Sequence, residues 1–334
     1  MNNPTAPAFT KLTDLAAERL GGKALVCTDD FFAEKENLLK PGRGVFIADK
    51  YTDRGKWMDG WESRRKRTAG NDWCIIRLAT SGKIHGVDID TNHFLGNHPP
   101  FASLEAANIS FDEDIDFDVI HWTTILPKSP LQPGSQNFFE IKDKEIYTHL
   151  RLHIYPDGGV ARLKVYGEVY KDWSQVDGRE ILDLAAATNG AKPIACNDMF
   201  FSHMENLIMP GRGVNMGDGW ETKRNRTPNN KDWVIVQLAH KGTIGKILID
   251  TAHFKGNYPD SCLIEGCAIS KDEELDSKST VWTTILPQTK LQADHEHEFE
   301  KEIVNKGPFT HVRLTIFPDG GISRMRIWGK IERE

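Results

Sequence analysis

The stretch DTNHFLGNHPP, Asp90–Pro100, occurs twice in this chain of 334 residues, and its second copy is DTAHFKGNYPD, Asp250–Asp260. In each copy an apolar run ends in an acid, and Thr-x-His-Phe-x-Gly-Asn follows. The run GVDID before the first copy predicts a strand, and the Gly-Asn-x-Pro after it predicts a turn. An Asp, a Thr, a His and an Asn therefore cluster just past a strand end, where a rigid sheet can hold binding or catalytic groups.

Other motifs recur in the same order, so the chain is a tandem duplication of one domain-sized unit. The clearest pairs are ENLLKPGRGV from Glu36 with ENLIMPGRGV from Glu205, DGWESRRKR from Asp59 with DGWETKRNR from Asp218, and THLRLHIYPDGG from Thr148 with THVRLTIFPDGG from Thr310. We expect a first repeat over residues 1–170, a linker over 171–178 and a second repeat over 179–334. The first repeat alone carries FIADKYTDRGKWM after Val45, whose composition suggests an exposed loop.

Most of each repeat has the pattern of short strands. WCIIRLA, KIHGVDID, SLEAANIS, WTTILP, THLRLHIY and VARLKVYGEV are apolar or alternating runs separated by turn residues. Many short strands at this spacing favour a mainly β fold of two tandem β-sandwich or jelly-roll domains. Each repeat opens with a helical pattern, which Thr13 could cap in the first, and helices should otherwise be few.

The PDGG turn between two alternating strands predicts a hairpin. If Tyr155 lies opposite Val160, Leu150 and Leu152 point into the core and a basic, aromatic face points outward. Such a face would suit an anionic ligand, and the alternative is an ordinary solvated outer surface. The expected cross-strand pairs are His153 with Arg162, Arg151 with Lys164, His149 with Tyr166, Arg313 with Arg326, and Thr315 with Arg324.

Composition narrows the function classes. The net charge of −6 argues against nucleic acid as the main partner, because phosphate binding needs a basic footprint. No apolar run reaches membrane-spanning length and no signal pattern opens the chain, so we expect a cytoplasmic protein without a membrane partner. The five cysteines are odd in number and irregularly spaced, which favours reduced, mostly buried thiols over disulfides or a zinc site.

The DGWE motif places two acids beside a tryptophan. In the first repeat these acids are Asp59 and Glu62, and in the second they are Asp218 and Glu221. Burial beside a large aromatic side chain can raise the pKa of a carboxyl group, which would suit a general acid or base. The alternative is a turn Asp and a Glu that pairs with a neighbouring arginine.

The repeated corner adds an acid and a histidine. Asp90 and His93 could form an oriented pair with Asn97 as a hydrogen-bond donor, and Asp250, His253 and Asn257 repeat them. The PGRG turns present Arg43 and Arg212, whose guanidinium groups suit bidentate binding of a carboxylate. Asp59, Asp90 and His93 are also plausible manganese ligands, although their spacing is no recognised metal signature. His295 and His297 could bind a metal or belong to a solvated acidic loop.

Together, NLLKPGRGVF, DGWESRRKR, DWCIIRLA, GVDIDTNHFLGN, TTILP and HLRLHIYPDGG, with their second copies, resemble the allantoicase family over nearly the whole chain. The resemblance implies tandem β-sandwich domains of the galactose-binding, jelly-roll type. It also implies hydrolysis of allantoate to ureidoglycolate and urea in purine breakdown. The competing function is a non-catalytic ligand- or carbohydrate-binding module of the same fold, because fold does not fix function.

The chemistry of allantoate suggests roles for these residues. We hypothesise that an arginine clamps the carboxylate, an acid protonates the departing ureido nitrogen, an Asp-oriented histidine activates water, and an amide holds a ureido carbonyl. A divalent metal such as manganese could activate the water instead, and the outer basic face could serve assembly of a homo-oligomer. The candidates are Arg43 and Arg212 for the clamp, Glu62 and Glu221 for the acid, His93 and His253 with Asp90 and Asp250 for the base, Asn97 and Asn257 for the amide, and Arg151 and Arg313 for further substrate binding.

Overall fold

The computed structural model describes residues 6–111, 115–269, 275 and 280–333. The chain divides into two compact units, Met1–Lys171 and Asp172–Glu334. Strands dominate both units, as the alternating runs predicted, and every helix among the described residues is a short 3₁₀ helix. None of these helices is long and apolar enough to cross a membrane.

The strands of the two units correspond closely. The first unit contains β1 Thr13–Asp14, β2 Lys23–Cys27, β3 Tyr51–Thr52, β4 Gly55–Lys56, β5 Trp61–Glu62, β6 Asp72–Asp90, β7 Phe101–Ala107, β8 Thr123–Pro130, β9 Phe138–Glu140, β10 Ile146–Tyr155, β11 Gly159–Val160 and β12 Arg162–Val169. The second unit contains β13 Leu182–Asp183, β14 Lys192–Cys196, β15 Trp220–Glu221, β16 Asp232–Asp250, β17 Ser261–Cys267, β18 Thr283–Lys290, β19 Glu296–Phe299, β20 Phe309–Phe317, β21 Gly321–Ile322 and β22 Arg324–Ile331. The 3₁₀ helices are Ala8–Lys11, Glu18–Leu20, Lys35–Leu39, Trp173–Gln175, Ala187–Asn189, Met204–Ile208 and Met216–Asp218.

One long strand builds both layers of the first sandwich. The first part of β6 pairs with β2 on one side and β10 on the other, and β7 and β8 extend that layer. After a register shift, the second part of β6 pairs with β12 and β9, and β1 covers the edge of β12. The strand β16 does the same in the second unit. The apolar core lies between the two layers and includes fully buried Ile76, Leu104, Leu152 and Val165.

The predicted helical openings are wrong. Thr13 and Asp14 form the short strand β1, and only Glu18–Leu20 turns into a 3₁₀ helix. The physical reason is the Asp14 side chain, which accepts hydrogen bonds from the backbone N–H groups of Ala16 and Val165 and so ties this segment to β12.

The predicted PDGG hairpin is also wrong, because β10 and β12 do not pair with each other. β10 lies between β6 and β7, and β12 lies between β6 and β1, so the turn carries the chain from one layer to the other. The observed partner of Arg162 is Asp90 instead of His153, and that of Arg324 is Asp250 instead of Thr315. The inward positions were nevertheless predicted correctly, since Leu150, Leu152 and Leu163 are fully buried.

Candidate active site

Both ends of the strand β6 lie at the same end of the first sandwich. Four loops meet there, namely those that carry the PGRG, DGWE, DTNHFLGN and PDGG motifs. The backbone N–H of Asp72 donates to Pro156 O, and that of Ala161 donates to Asp90 O, so the PDGG segment bridges both ends of the strand. The repeated corner packs on this bridge through Phe94, which is fully buried. A Cβ atom on Gly159 would lie 2.0 Å from the Phe94 ring, so only glycine permits this contact.

Glu62 and Asn97 are brought together across these loops. Glu62 lies on β5, which pairs with Gly159–Val160, and the backbone N–H of Gly159 donates to Asn97 O. The Asn97 side chain donates from Nδ2 to Glu62 Oε1 over 2.6 Å. Burial raises the pKa of the Glu62 carboxyl above its usual value, and the hydrogen bond from Asn97 offsets part of that rise. The arrangement provides a carboxyl group that holds its proton more readily than an exposed glutamate does.

Arg43 forms a bidentate ion pair with Asp90. Its Nε and Nη2 atoms lie 2.7 and 2.8 Å from the two carboxylate oxygens, and Asp90 is almost completely buried. The Arg43 side chain remains 46% exposed. A guanidinium has a second edge, formed by Nη1 and Nη2, which can bind another carboxylate. Asp90 therefore fixes the guanidinium through Nε and Nη2, while nearly half of the Arg43 side chain stays accessible to another anion.

The orientation of His93 comes from a peptide carbonyl. Its Nε2 atom lies 3.1 Å from Gly44 O, and because a carbonyl only accepts, Nε2 carries the hydrogen. The lone pair of the neutral ring is then on Nδ1. The Phe46 ring stacks on the imidazole with 5.5 Å between centroids, and the His93 backbone adopts a φ of 67°. The left-handed backbone, the bond to Gly44 O and the stacked Phe46 ring thus fix the imidazole, and Nδ1 is its hydrogen-accepting nitrogen.

Asp59 holds the PGRG loop in place. It accepts hydrogen bonds from the Val45 backbone N–H and from Nη2 of buried Arg162. Burial alone would raise the pKa of Asp59, but these two donors lower it below its usual value. The group is an ionised anchor, and Arg162 also donates to Asp59 O.

Comparison with known proteins identifies the family. The model of the allantoicase repeat matches residues 13–170 and again residues 182–332. The chain belongs to the allantoicase family. It is 51% identical over 336 residues to a probable allantoicase of Burkholderia mallei, which covers 100% of this chain and 99% of the relative. A probable allantoicase of Pseudomonas syringae is also 51% identical, over 98% of this chain and 99% of its own length.

A solved allantoicase has the same fold. The crystal structure of allantoicase from Saccharomyces cerevisiae superimposes with a TM-score of 0.81 at 38% identity and covers 96% of this chain and 93% of the yeast chain. The predicted resemblance and the duplicated mainly β fold are therefore confirmed. These matches favour the allantoicase interpretation over a binding module.

Allantoicase family membership does not assign roles to residues, and the geometry revises several hypotheses. Asp90 does not orient His93, because its carboxylate is held by Arg43 while His93 bonds Gly44 O. The Arg151 guanidinium lies on β10 against Glu105, and Arg313 lies in the same way against Glu265, so both predicted basic positions are neutralised. These two arginines stand on the sheet surface among cross-strand partners instead of in the corner.

The predicted manganese ligands do not converge on one point. Asp59 is paired with Arg162 and Asp90 with Arg43. Across the residues that the structure describes, no three His, Cys, Asp or Glu side chains are grouped so that they could hold a metal ion. His297 is structural, since its two ring nitrogens bond Ile249 O and the backbone N–H of Gln292. The cysteines are free thiols, as predicted.

Sequence reasoning missed three contributors to the corner. Gly44 offers the carbonyl that orients His93, Asn92 donates to the same carbonyl, and Arg162 clamps Asp59. Arg162 carried a usable signal, since Arg324 repeats both its position and its contact with Asp218. Gly44 carried none, because its role depends on a backbone atom.

The second unit repeats the corner with the same contacts. Arg212 pairs with Asp250, and Nε2 of His253 lies 2.8 Å from Gly213 O. Asn257 donates to Glu221, whose carboxyl pKa burial again raises.

The surroundings of the two corners differ in charge. The matching backbone bonds of Thr91 to Ser135 O and of Thr251 to His295 O align the loops that flank them. The first loop reads Gly-Ser-Gln, from Gly134, and the second reads Asp-His-Glu, from Asp294. A cavity of about 560 Å³ beside Arg212 is consequently lined by acids; its lining residues are Arg212, Asp294, His295, Glu296 and Glu298.

The insertion of the first unit covers its corner. It contains the β3–β4 hairpin and carries Phe46, which stacks on His93. Lys56 Nζ lies 4.4 Å from the centre of the Phe46 ring, which places a cation beside the corner. The Arg54 guanidinium donates to Phe31 O and fastens the hairpin to a neighbouring loop. The predicted exposed loop is confirmed, since residues 47–56 are exposed.

Proposed function

We propose that this protein hydrolyses allantoate to ureidoglycolate and urea at the corner of the first unit. The observation that carries the assignment is the Glu62–Asn97 pair, a buried carboxyl with a raised pKa in the repeated corner of an allantoicase-family fold. Its supporting groups are Arg43 and His93. The relatives from Burkholderia mallei and Pseudomonas syringae are named probable allantoicases, and each is matched over 99% of its length.

The reaction needs an acid at the leaving group. Allantoate carries one carboxylate and two ureido groups on its central carbon, and release of intact urea breaks the bond from that carbon to one nitrogen. An amide-like nitrogen leaves poorly unless it is protonated. Burial favours the protonated form of the Glu62 carboxyl by raising its pKa, and in this proposal that form donates its proton to the nitrogen, so that neutral urea departs.

Water replaces the departing nitrogen on the central carbon. The oxygen of water forms the new bond to carbon, and its proton passes to Nδ1 of His93, whose Nε2 is held by Gly44 O. The proton gained by His93 then returns to Glu62 through solvent, which restores both side chains to their starting protonation states. Asp90 and Asp59 act as positioning residues, because they fix Arg43 and the PGRG loop.

The substrate carboxylate has a matching cation. The Nη1–Nη2 edge of Arg43 can donate hydrogen bonds to the substrate carboxylate while the Nε–Nη2 edge remains bonded to Asp90. Lys56 adds positive charge at the same corner. No step of this proposal passes through a metal, and a role for manganese stays a prediction.

The same binding mode is unfavourable in the second unit. Arg212 lies beside Asp294, Glu296 and Glu298, which repel a second anion. Among the acids found only in the first unit, Asp88 acts on Arg43, but it is almost completely buried and accepts a hydrogen bond from Gln136. We therefore assign turnover to the first corner.

The direct test is turnover of allantoate by the purified protein, with urea and ureidoglycolate measured separately. Equal amounts of the two products are expected. A folded protein that yields no urea, with and without added manganese, would overturn the proposal in favour of a binding module. Cytoplasmic location and assembly into a homo-oligomer remain predictions from the sequence, which fractionation and light scattering can check.

A further inference from the structure

A cavity of about 530 Å³ lies on the second unit, and its lining includes no residue of that unit's corner. It sits where β16 changes register, next to the end of β22. We call it the second-unit groove and define it by Ile181, Lys246, Lys306, Trp328 and Lys330, with Glu300 as the one acid in its lining.

In the first unit the same place is filled by an aromatic side chain. Phe9, on the 3₁₀ helix Ala8–Lys11, packs with ring centroids 5.9 Å from Tyr166 and 6.3 Å from Phe138. A Cβ atom on Gly86 would lie 2.5 Å from the Phe9 ring, so the ring rests directly on the strand. This site on the sandwich therefore accepts a flat ring.

The register shows what replaces Phe9 in the second unit. Thr13 pairs with Gly167 and Leu182 pairs with Gly329, so Gly178, four residues before Leu182, corresponds to Phe9. The second unit thus has a glycine where the first unit has the Phe9 ring. Tyr166 is replaced by the larger Trp328, which is half-buried.

The charge of the groove is also changed. The partner of Tyr166 on β6 is Gly86, whereas the partner of Trp328 on β16 is Lys246. Two positions after these aromatics, Glu168 in the first unit becomes Lys330 in the second.

Two of the three groove lysines are available to a ligand. Lys246 is engaged by Glu298 at 2.9 Å and by the lining acid Glu300 at 3.7 Å, and its Nζ lies 5.4 Å from the Trp328 ring centre. Lys306 and Lys330 are exposed and form no salt bridge with any residue that the structure describes. The groove accordingly joins a half-buried indole to two cations that form no salt bridge with the described residues, while its one acid, Glu300, pairs with Lys246.

We propose that the second-unit groove binds a small planar aromatic anion. Its ring lies on Trp328, as the Phe9 ring lies on Tyr166, and its acid group faces Lys306 and Lys330 at the rim. Stacking on an indole and attraction to lysine are both favourable for such a ligand. Allantoate has no aromatic ring, so this site is separate from the proposed substrate site and does not depend on it.

Ligand-observed and protein-observed NMR titration with 2-naphthoate tests the proposal. We expect saturable binding of one molecule per chain, and much weaker binding of the neutral 2-naphthamide. Lys306→Glu should weaken 2-naphthoate binding by about fivefold or more, since an exposed charge pair is reversed. Trp328→Ala should abolish saturable binding.

The first unit offers a matched control. Thr148 and Thr310 make the same bond to a backbone N–H, so Lys144 corresponds to Lys306. Lys144→Glu makes the same change of net charge at the corresponding position of the first unit, and it should leave the affinity unchanged. Equal loss in both Lys→Glu variants, equal binding of the neutral amide, or full binding by a folded Trp328→Ala protein would each overturn the proposal.

Discussion

Asn97 donates a hydrogen bond of 2.6 Å from Nδ2 to Oε1 of Glu62, although 35 positions separate the two residues in the sequence. The amide stabilises the charged carboxylate, whereas burial stabilises the protonated form. The balance between these two effects determines the pH at which Glu62 can act as an acid.

Replacing Asn97 by Ala should shift the pH dependence of allantoate hydrolysis. Loss of the donor raises the pKa of Glu62 further, because the ionised carboxylate loses its partner. The protonated form is the active one in our proposal, so activity falls as pH rises through that pKa, and the falling limb moves to higher pH in Asn97→Ala. Profiles of kcat/KM against pH measure the shift. A limb that stays in place or moves to lower pH would contradict the assignment, and Asn257→Ala serves as the control that should match the parent.

Replacing Arg43 by Lys should weaken substrate binding. Lysine keeps the charge and can still reach Asp90, but it cannot offer a second bidentate edge. A lost charged hydrogen bond contributes about 1.5–3 kcal/mol, so KM should rise roughly tenfold to a hundredfold. Arg212→Lys should leave KM within about twofold on the same energy scale. Steady-state kinetics decide the matter, and equal increases in the two variants would place substrate at both corners.

The negative charge that Asp294 places beside the second corner can be introduced beside the first corner by substituting Gly134. Gly134 has φ of 60° and its counterpart Asp294 has φ of 49°. An Asp or Asn can occupy the first position once the exposed Leu95 side chain, whose Cδ2 would lie 2.6 Å from the added Cβ, moves aside. Gly134→Asp should raise KM for allantoate by about two- to fivefold over Gly134→Asn, because the added charge repels the substrate carboxylate. The difference should shrink in high salt. Identical KM values for these isosteric variants would refute the electrostatic explanation.

Asp88 should make folding stability depend on pH. Burial raises its pKa from 3.8 to about 6, with Asp90 nearby also raising it. The folded state therefore binds a proton that the unfolded state has released between these pH values, and this group's contribution to the free energy of unfolding falls as pH rises through that window. The shift corresponds to about 3 kcal/mol as an order of magnitude.

Asp88→Asn removes that titration. Its stability relative to the parent should increase from pH 4 to pH 7, and Asn can still accept from the backbone N–H of Asn137. Denaturant unfolding at a series of pH values measures this difference. A difference that does not vary with pH would show that the group titrates alike in both states.

Much of the fold could be predicted because the local alternation of apolar and polar residues indicates the strands and the positions that face the core. The alternation in residues 148–155 identified Leu150 and Leu152 as core, and both are fully buried. The strand partners could not be predicted in this way, because a PDGG turn fits both a hairpin and a crossing between layers. The choice depends on β6, whose length allows β10 and β12 to bind different parts of one strand.

The candidate site was predictable in its residues but not in its connections. Duplication pointed to Glu62, His93 and Asn97 as a set worth examining. Which atoms form hydrogen bonds depends on the paths of the loops. The sequence suggested Asp90 as the hydrogen-bond partner that orients His93, whereas in the structure that partner is Gly44 O. A backbone carbonyl has no residue-specific signature that a sequence could reveal.

Turnover of allantoate by Glu62→Gln and Glu221→Gln, measured side by side, tests the central claim most directly. Glutamine keeps the size of each side chain and removes only the acidic proton. Our account predicts that Glu62→Gln lowers kcat by about two to four orders of magnitude with an unchanged melting temperature, while Glu221→Gln remains close to the parent. Near-normal turnover in Glu62→Gln, or equal losses in the two variants, would contradict it.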